Sequence, residues 1–425
     1  MNRDRVVLIA AAAALVVSMA AIGGLPSPHT RIVSFLTLYS VAFVVYLFAA
    51  RTVLRAASCA RGIPVFIVAV SALAHAAVIP ARPDLSTDVY RYAWEGRVIL
   101  DGHDPFTVSP QDTALAHLRN ADYGQIGHPN LPTIYPPLAQ GVFAVAALVH
   151  PGVTMLKIIF SLFNLGTVWL LFRWLRLRGR AEAHALVFAW NPLVIVETGH
   201  SGHVDAMAAF FLVLALYLWQ SERRVWSGLV LGASVLVKYV ALAAVPWFVR
   251  RRHFVVVAVM VLVLAVGYVP FLSAGARLFT SLREYSAHWW FNGPPYMALS
   301  GFLGSADVAR RLLAAGGIAF AIAAAHRERD FARYAFLVLG CILFVSPTVY
   351  PWYLMWILPL LCLFPSRAWI AFSGLVMLSY GVWNVYAESG AWVVPTWLLA
   401  LEYAPFYILL LAGLARANRR KWAPA

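Results

Sequence analysis

Apolar runs long enough to cross a lipid bilayer recur along this 425-residue chain. Val6–Leu25, Ile32–Ala50, Ile63–Pro80 and Val153–Phe172 are clear cases, each near or above the ~18 residues that mark a transmembrane helix. In hydrocarbon the backbone must satisfy its own polar groups, so repeated runs of this length specify a helical bundle. Charged residues make up only 12% of the chain, against ~25% for an ordinary soluble domain. The expected fold is an all-α integral membrane protein, a single polytopic domain over residues 1–425 with about 12–14 transmembrane helices. Several runs are only ~11–15 residues long, as expected of helices that stop inside the membrane and line a cavity.

The net charge of +15 does not point to nucleic acid. The basic residues sit in short clusters between apolar runs, the pattern of cytoplasmic loops. Arg51, Arg55 and Arg61 form one cluster and Arg173–Arg180 the next. Glu222–Arg224, Arg250–Arg252, Arg327–Arg333, Arg367 and Arg416–Lys421 continue the series. Both termini are then cytoplasmic, and the N-terminal run reads as an uncleaved signal-anchor rather than a cleaved signal peptide. Residues 81–135 fall outside, in an acidic loop with seven of the 18 carboxylates and a surface helix over about Thr87–Leu100. Parity requires that the short run Tyr135–Val149 lie along or dip into the outer leaflet. Cys59, Cys341 and Cys362 are scattered, with neither metal spacing nor a disulfide framework.

Four constellations carry candidate chemistry, and each has a plainer structural reading. Asp88 stands at the start of the loop helix, where an acid suits the helix dipole and Ser86 or Thr87 can cap. It also suits a general base acting on an acceptor hydroxyl. Glu197, His200, His203 and Asp205 lie together between two apolar runs. They fit a substrate-binding cluster, a hydrogen-bonded corner or, with looser spacing than a zinc signature, a metal site. Lys238, alone among apolar residues, either snorkels to the interface or holds a phosphate as a point charge. Tyr350 and Tyr353, in a proline-broken stretch, are belt aromatics or line a phosphate or isoprenoid path. Trp289, Trp290, Asn292 and Tyr296 form a further outer element suited to stacking on a sugar. No Gly-rich phosphate loop, GxGxxG or Asp-x-Asp pair is present, so a nucleotide-linked donor is not expected.

DVYRYAWEGRVILDGHDPF (88–106), LPTIYPPLAQ (131–140), GHSGHVDAMA (199–208), LVKY (236–239) and SPTVYPWYLMWILPLL (346–361) occur in that order. Together they resemble the GT-C fold glycosyltransferases of bacteria, most closely polyprenyl-phosphate-mannose-dependent mannosyltransferases near glycosyltransferase family 87. The resemblance implies inverting transfer of mannose from a polyprenyl-phosphate donor on the extracytoplasmic side of the plasma membrane, without cofactor or obligatory metal. The acceptor would be a glycolipid, a polysaccharide or a protein. Asp88 falls on the family's catalytic acid. By the same resemblance Lys238 and the corner with His200, His203 and Asp205 line the donor-phosphate and sugar pocket, and Tyr350 and Tyr353 lie near the lipid phosphate. Arg91, Tyr92, Tyr135, Glu197 and Asn292 are expected to bind substrate beside them. The competing readings are a lipid-sugar or solute transporter of the same architecture and a non-catalytic assembly subunit. Against the transporter stand the acidic outer loop and the lack of matching broken helices in two halves.

Overall fold

The computed structural model describes residues 3–55 and 62–422, with side chains described to residue 416. Cys59, Arg61 and the side chains of Arg419, Arg420 and Lys421 lie outside the described part. The described chain is helical, with one isolated parallel bridge between Phe291 and Thr348 and no strand. Seven described helices are long and apolar enough to cross a membrane, and five shorter apolar helices of 10–17 residues accompany them. In chain order the α-helices begin with α1 (Arg3–Gly23), α2 (Ile32–Arg55), α3 (Ile63–Val78), α4 (Asp88–Leu100), α5 (Pro137–Val149) and α6 (Val153–Leu177).

The outer face of the bundle carries large apolar side chains in the open: Val33 is 68% exposed, Val65 74% and Phe302 87%. Water does not tolerate so much contiguous apolar surface, and lipid does. The protein is membrane-embedded. Inside the bundle, polar side chains tie distant segments together. The Tyr39 hydroxyl donates to the Ser373 carbonyl and that of Tyr46 to the Val187 carbonyl, both at 2.8 Å. Each bond satisfies a carbonyl that hydrocarbon could not, so a polar tether here also protects the broken backbone it meets.

At 25 residues α6 is about 37 Å long and measures the bundle from end to end. Near its start, Lys157 Nζ donates to the Ala81 carbonyl just before α4. At its far end Arg178 makes a two-point pair with Asp330, at 2.6 and 2.8 Å. Arg250 and Arg251 gather there too, bonded to His326 and the Glu328 carbonyl. Three of the basic clusters read as cytoplasmic thus meet at one end, and the acidic loop sits at the other.

One expectation is corrected. The helix over 87–100 does not lie on a surface: in α4 the whole run Val89–Gly96 is buried. Its pattern looks amphipathic because Arg91 and Glu95 are charged, but these neutralise one another (2.6 Å) and go inside as a pair. Tyr92 stacks on Phe143 of α5, and Val204 and Met207 close the same small core. The two helices approach so closely at Gly96 that a Cβ there would stand 2.2 Å from the Phe143 carbonyl oxygen. Gly96→Ala should therefore destabilise the protein by about 1–3 kcal/mol, read as a lower unfolding temperature in detergent. Gly141→Ala, where a Cβ meets nothing within 4 Å, should be neutral or gain up to ~1 kcal/mol. Equal effects at the two sites would contradict this packing.

Candidate active site

The chain reaches α4 through Ser86 and Thr87. Thr87 makes no cap bond with its side chain; instead Ser86 Oγ accepts the Asp88 amide at 3.3 Å. Asp84, further upstream, turns away to His29 (3.3 Å). Asp88 itself is half-buried on the wall of a cavity of about 1050 Å³. Its Oδ2 accepts from the Tyr135 hydroxyl (3.3 Å) and the Tyr92 hydroxyl (3.4 Å). No ion pair among the described residues engages it. His128 lines the same wall; burial holds its pKa below the usual histidine range, with the Asp88 carboxylate pulling the other way. The imidazole is thus neutral at neutral pH, and it puts no cation beside Asp88.

Behind Asp88 a clamp fixes the loop. Glu95 Oε1 pairs with Arg91 Nε, while Oε2 accepts from Thr133 Oγ1 (2.8 Å) and Gln140 Nε2 (2.6 Å). Arg91 then donates to the carbonyls of Leu131 (2.6 Å) and His128 (3.3 Å). The segment that carries Tyr135 is thereby bolted to the helix that carries Asp88. Arg91 lines the cavity as expected, but its guanidinium is spoken for by protein partners.

Three breaks in apolar helices deliver the rest. The helix Arg224–Val235 stops, and Lys238 follows in extended conformation before the turn Tyr239–Ala244. The helix Phe331–Val345 stops, and residues 346–350 run extended beside Phe291 before the turn Pro351–Trp356. The third break precedes Asp205–Gln220; Gly202, at φ 75°, turns the chain there beneath Val89. The breaks bring Lys238, Tyr350 and Tyr353 to the cavity wall. Lys238 is not the lone charge its sequence suggests. Its ammonium pairs with Asp205 Oδ1 at 2.6 Å and lies 4.5 Å from the Tyr353 ring centre and 5.2 Å from that of Trp356.

A greasy cage whose wall carries the Arg91–Glu95 pair, the Asp88 carboxylate without an ion pair and the Lys238 ammonium suits transfer chemistry on an amphiphile, and comparison with known proteins sharpens that. Residues 6–253 match the model of a family described as alpha-(1->6)-mannopyranosyltransferase, N-terminal domain. This chain belongs to that family. Neither a curated protein nor a solved structure matches it. The protein is therefore a mannosyl-transferring glycosyltransferase, in line with the resemblance read from its motifs. The matched segment holds Asp88, Tyr135 and Lys238, whereas the Tyr350 and Tyr353 wall comes from beyond it.

In this mannosyltransferase several expected substrate-binding residues do not reach the cavity. Tyr92 is fully buried and touches Asp88 from behind. Glu197, His200, His203 and Asp205 are all fully buried in a layer beneath the wall. Glu197 accepts the Tyr380 hydroxyl (3.0 Å) and pairs with His203 (2.9 Å). Neither ring nitrogen of His200 meets a hydrogen-bond partner. Asn292 is buried too, bonded to Glu402 (2.7 Å), and braces the wall rather than lining it. Among the described residues no group of three or more His, Cys, Asp and Glu is placed to hold a metal ion.

The wall also uses residues that sequence reasoning passed over. Tyr285 meets the Tyr353 hydroxyl at 2.5 Å, and Trp352, Trp356, Tyr380 and Trp383 face the same space. Aromatics are so common in this chain, 14% of it, that no local signal marks these. Removing one member of the clamp is the sharpest test of this arrangement. Glu95→Gln leaves Arg91 buried without its counter-charge and should cost about 3–5 kcal/mol. A melting temperature within a degree of wild type would show that the pair does not hold the loop.

Proposed function

We propose that this mannosyltransferase moves mannose from a polyprenyl-phosphate donor, admitted from the lipid, to an acceptor hydroxyl outside the plasma membrane. Asp88 acts as general base and the anomeric centre inverts. The acceptor O–H gives its proton to the Asp88 carboxylate as its oxygen bonds to C1. The C1–O bond to phosphate breaks, and its electron pair leaves with polyprenyl phosphate. Positive charge gathers on the ring as in other glycosyl transfers. Phosphate is a good leaving group, so no second carboxylic acid has to protonate it. Lys238, with donors left over from its bond to Asp205, holds the phosphate and stabilises the charge that develops there. Tyr350 and Tyr353 flank it, and the family's description suggests an α-(1→6) linkage on a glycolipid, polysaccharide or protein acceptor.

The observation that carries this reading is the unpaired Asp88 carboxylate on a wall it shares with the Lys238 ammonium. The sidedness follows from the gathering of basic clusters at the far end of the bundle, since such clusters stay in the cytoplasm. With purified protein and polyprenyl-phosphate mannose, Asp88→Asn should lower kcat by roughly 10²–10⁴-fold and leave donor binding intact. Wild-type turnover in that variant removes Asp88 from the role. For sidedness, in a chain cleared of its own cysteines, Ala116→Cys should react with an impermeant thiol reagent from outside intact cells and Arg223→Cys should not. Labelling of both from one side overturns the orientation.

A further inference from the structure

Beneath the cavity wall runs a hydrogen-bond chain that the transfer just described does not use. The Glu197 carboxylate receives the Tyr380 hydroxyl (3.0 and 3.1 Å) and His203 Nδ1 (2.9 Å). The same ring nitrogen faces the Glu197 carbonyl at 3.2 Å. Both partners of Nδ1 are acceptors, so Nδ1 carries a proton, and in the neutral ring Nε2 offers a lone pair. Nε2 lies 3.1 Å from Ser86 Oγ, which donates to it. The serine oxygen keeps a lone pair for the Asp88 amide, 3.3 Å away. Every donor along the chain thus meets an acceptor. Trp352 stacks on the imidazole, with centroids 3.8 Å apart and planes at 14°, and holds the ring from turning.

We infer that Glu197, His203 and Ser86 are positioning residues: they fix the first turn of α4 and hence the aim of the Asp88 carboxylate. This rests on the reading of Asp88 as the base. With Thr87 making no cap bond, Ser86 is the side chain that holds the Asp88 amide. The carboxylate's own contacts to Tyr92 and Tyr135 (3.4 and 3.3 Å) are as long as the serine's bond to the amide, so its direction depends on the backbone below as well as on the two tyrosines. A base displaced by about 1 Å can lose ~10²-fold in rate. The chain explains why two ionisable groups separated from Asp88 by more than a hundred residues are buried beside it without touching the cavity.

The test combines kinetics with hydrogen exchange at the Asp88 amide. Ser86→Ala should lower kcat about 10-fold and His203→Ala about 10–100-fold, with the donor KM essentially unchanged. The double variant should be no slower than His203→Ala, because links of one chain do not add. Amide exchange at Asp88 should quicken in both single variants. His203→Gln can bring its amide oxygen to the place where Nε2 accepts from Ser86 Oγ, whereas the shorter His203→Asn reaches only the place of Nδ1, so glutamine should restore more kcat than asparagine. Unchanged exchange in Ser86→Ala, a change too small to unfold the protein, overturns the inference. So does a loss confined to KM, or an asparagine variant that equals or exceeds the glutamine one. Asp88→Asn separates the two readings. Full activity there sinks the base itself, whereas an inactive Asp88→Asn beside an unimpaired Ser86→Ala sinks only the positioning chain.

Discussion

Glu95 is the interaction on which the cavity depends. Its carboxylate is buried, and it meets a guanidinium, a hydroxyl and an amide at once. Those three partners come from α4, from the loop before α5 and from α5 itself. A buried carboxylate this well supplied holds its neighbours in one arrangement, since any other would leave a charge unpaired in a medium that does not forgive it. Tyr135 is therefore beside Asp88, and α5 lies against α4 closely enough that glycine is required at position 96.

The same rule sorts the other buried acids by what answers them. Glu197 is met by Tyr380 and His203, Asp205 by Lys238 and Trp356, Glu402 by Asn292. Each joins segments that the membrane would otherwise leave with unsatisfied polar atoms. Asp88 differs from all of them in its place: it is half-buried on the cavity wall, with two long tyrosine contacts. A carboxylate left on a cavity wall without an ion pair is free for chemistry.

Much of this was legible in the chain. The apolar runs gave the bundle, and their shortness near Lys238 and Ser346 gave helices that break inside it. The basic clusters pointed to a shared end, and three of them meet there. The crowding of acids and aromatics into residues 81–135 marked the loop that carries Asp88. What could not be read was depth. His203 and Lys238 are both polar residues at helix breaks, yet one lies under the wall and the other on it. Tyr285 and Trp383 carry no mark that separates them from lipid-facing aromatics elsewhere.

The sequence by itself determined a membrane-embedded helical bundle, its breaks, its polarity of charge and its family, because these depend on composition and on spacing along the chain. The tertiary structure alone decided which polar side chain faces the cavity and which supports another. That outcome rests on partners found far away: Asp205 with Lys238, Glu197 with Tyr380, Ser86 with His203. Local periodicity encodes whether a position is covered, but the work of a buried charge is set by the group that neutralises it, and only folding brings that group near.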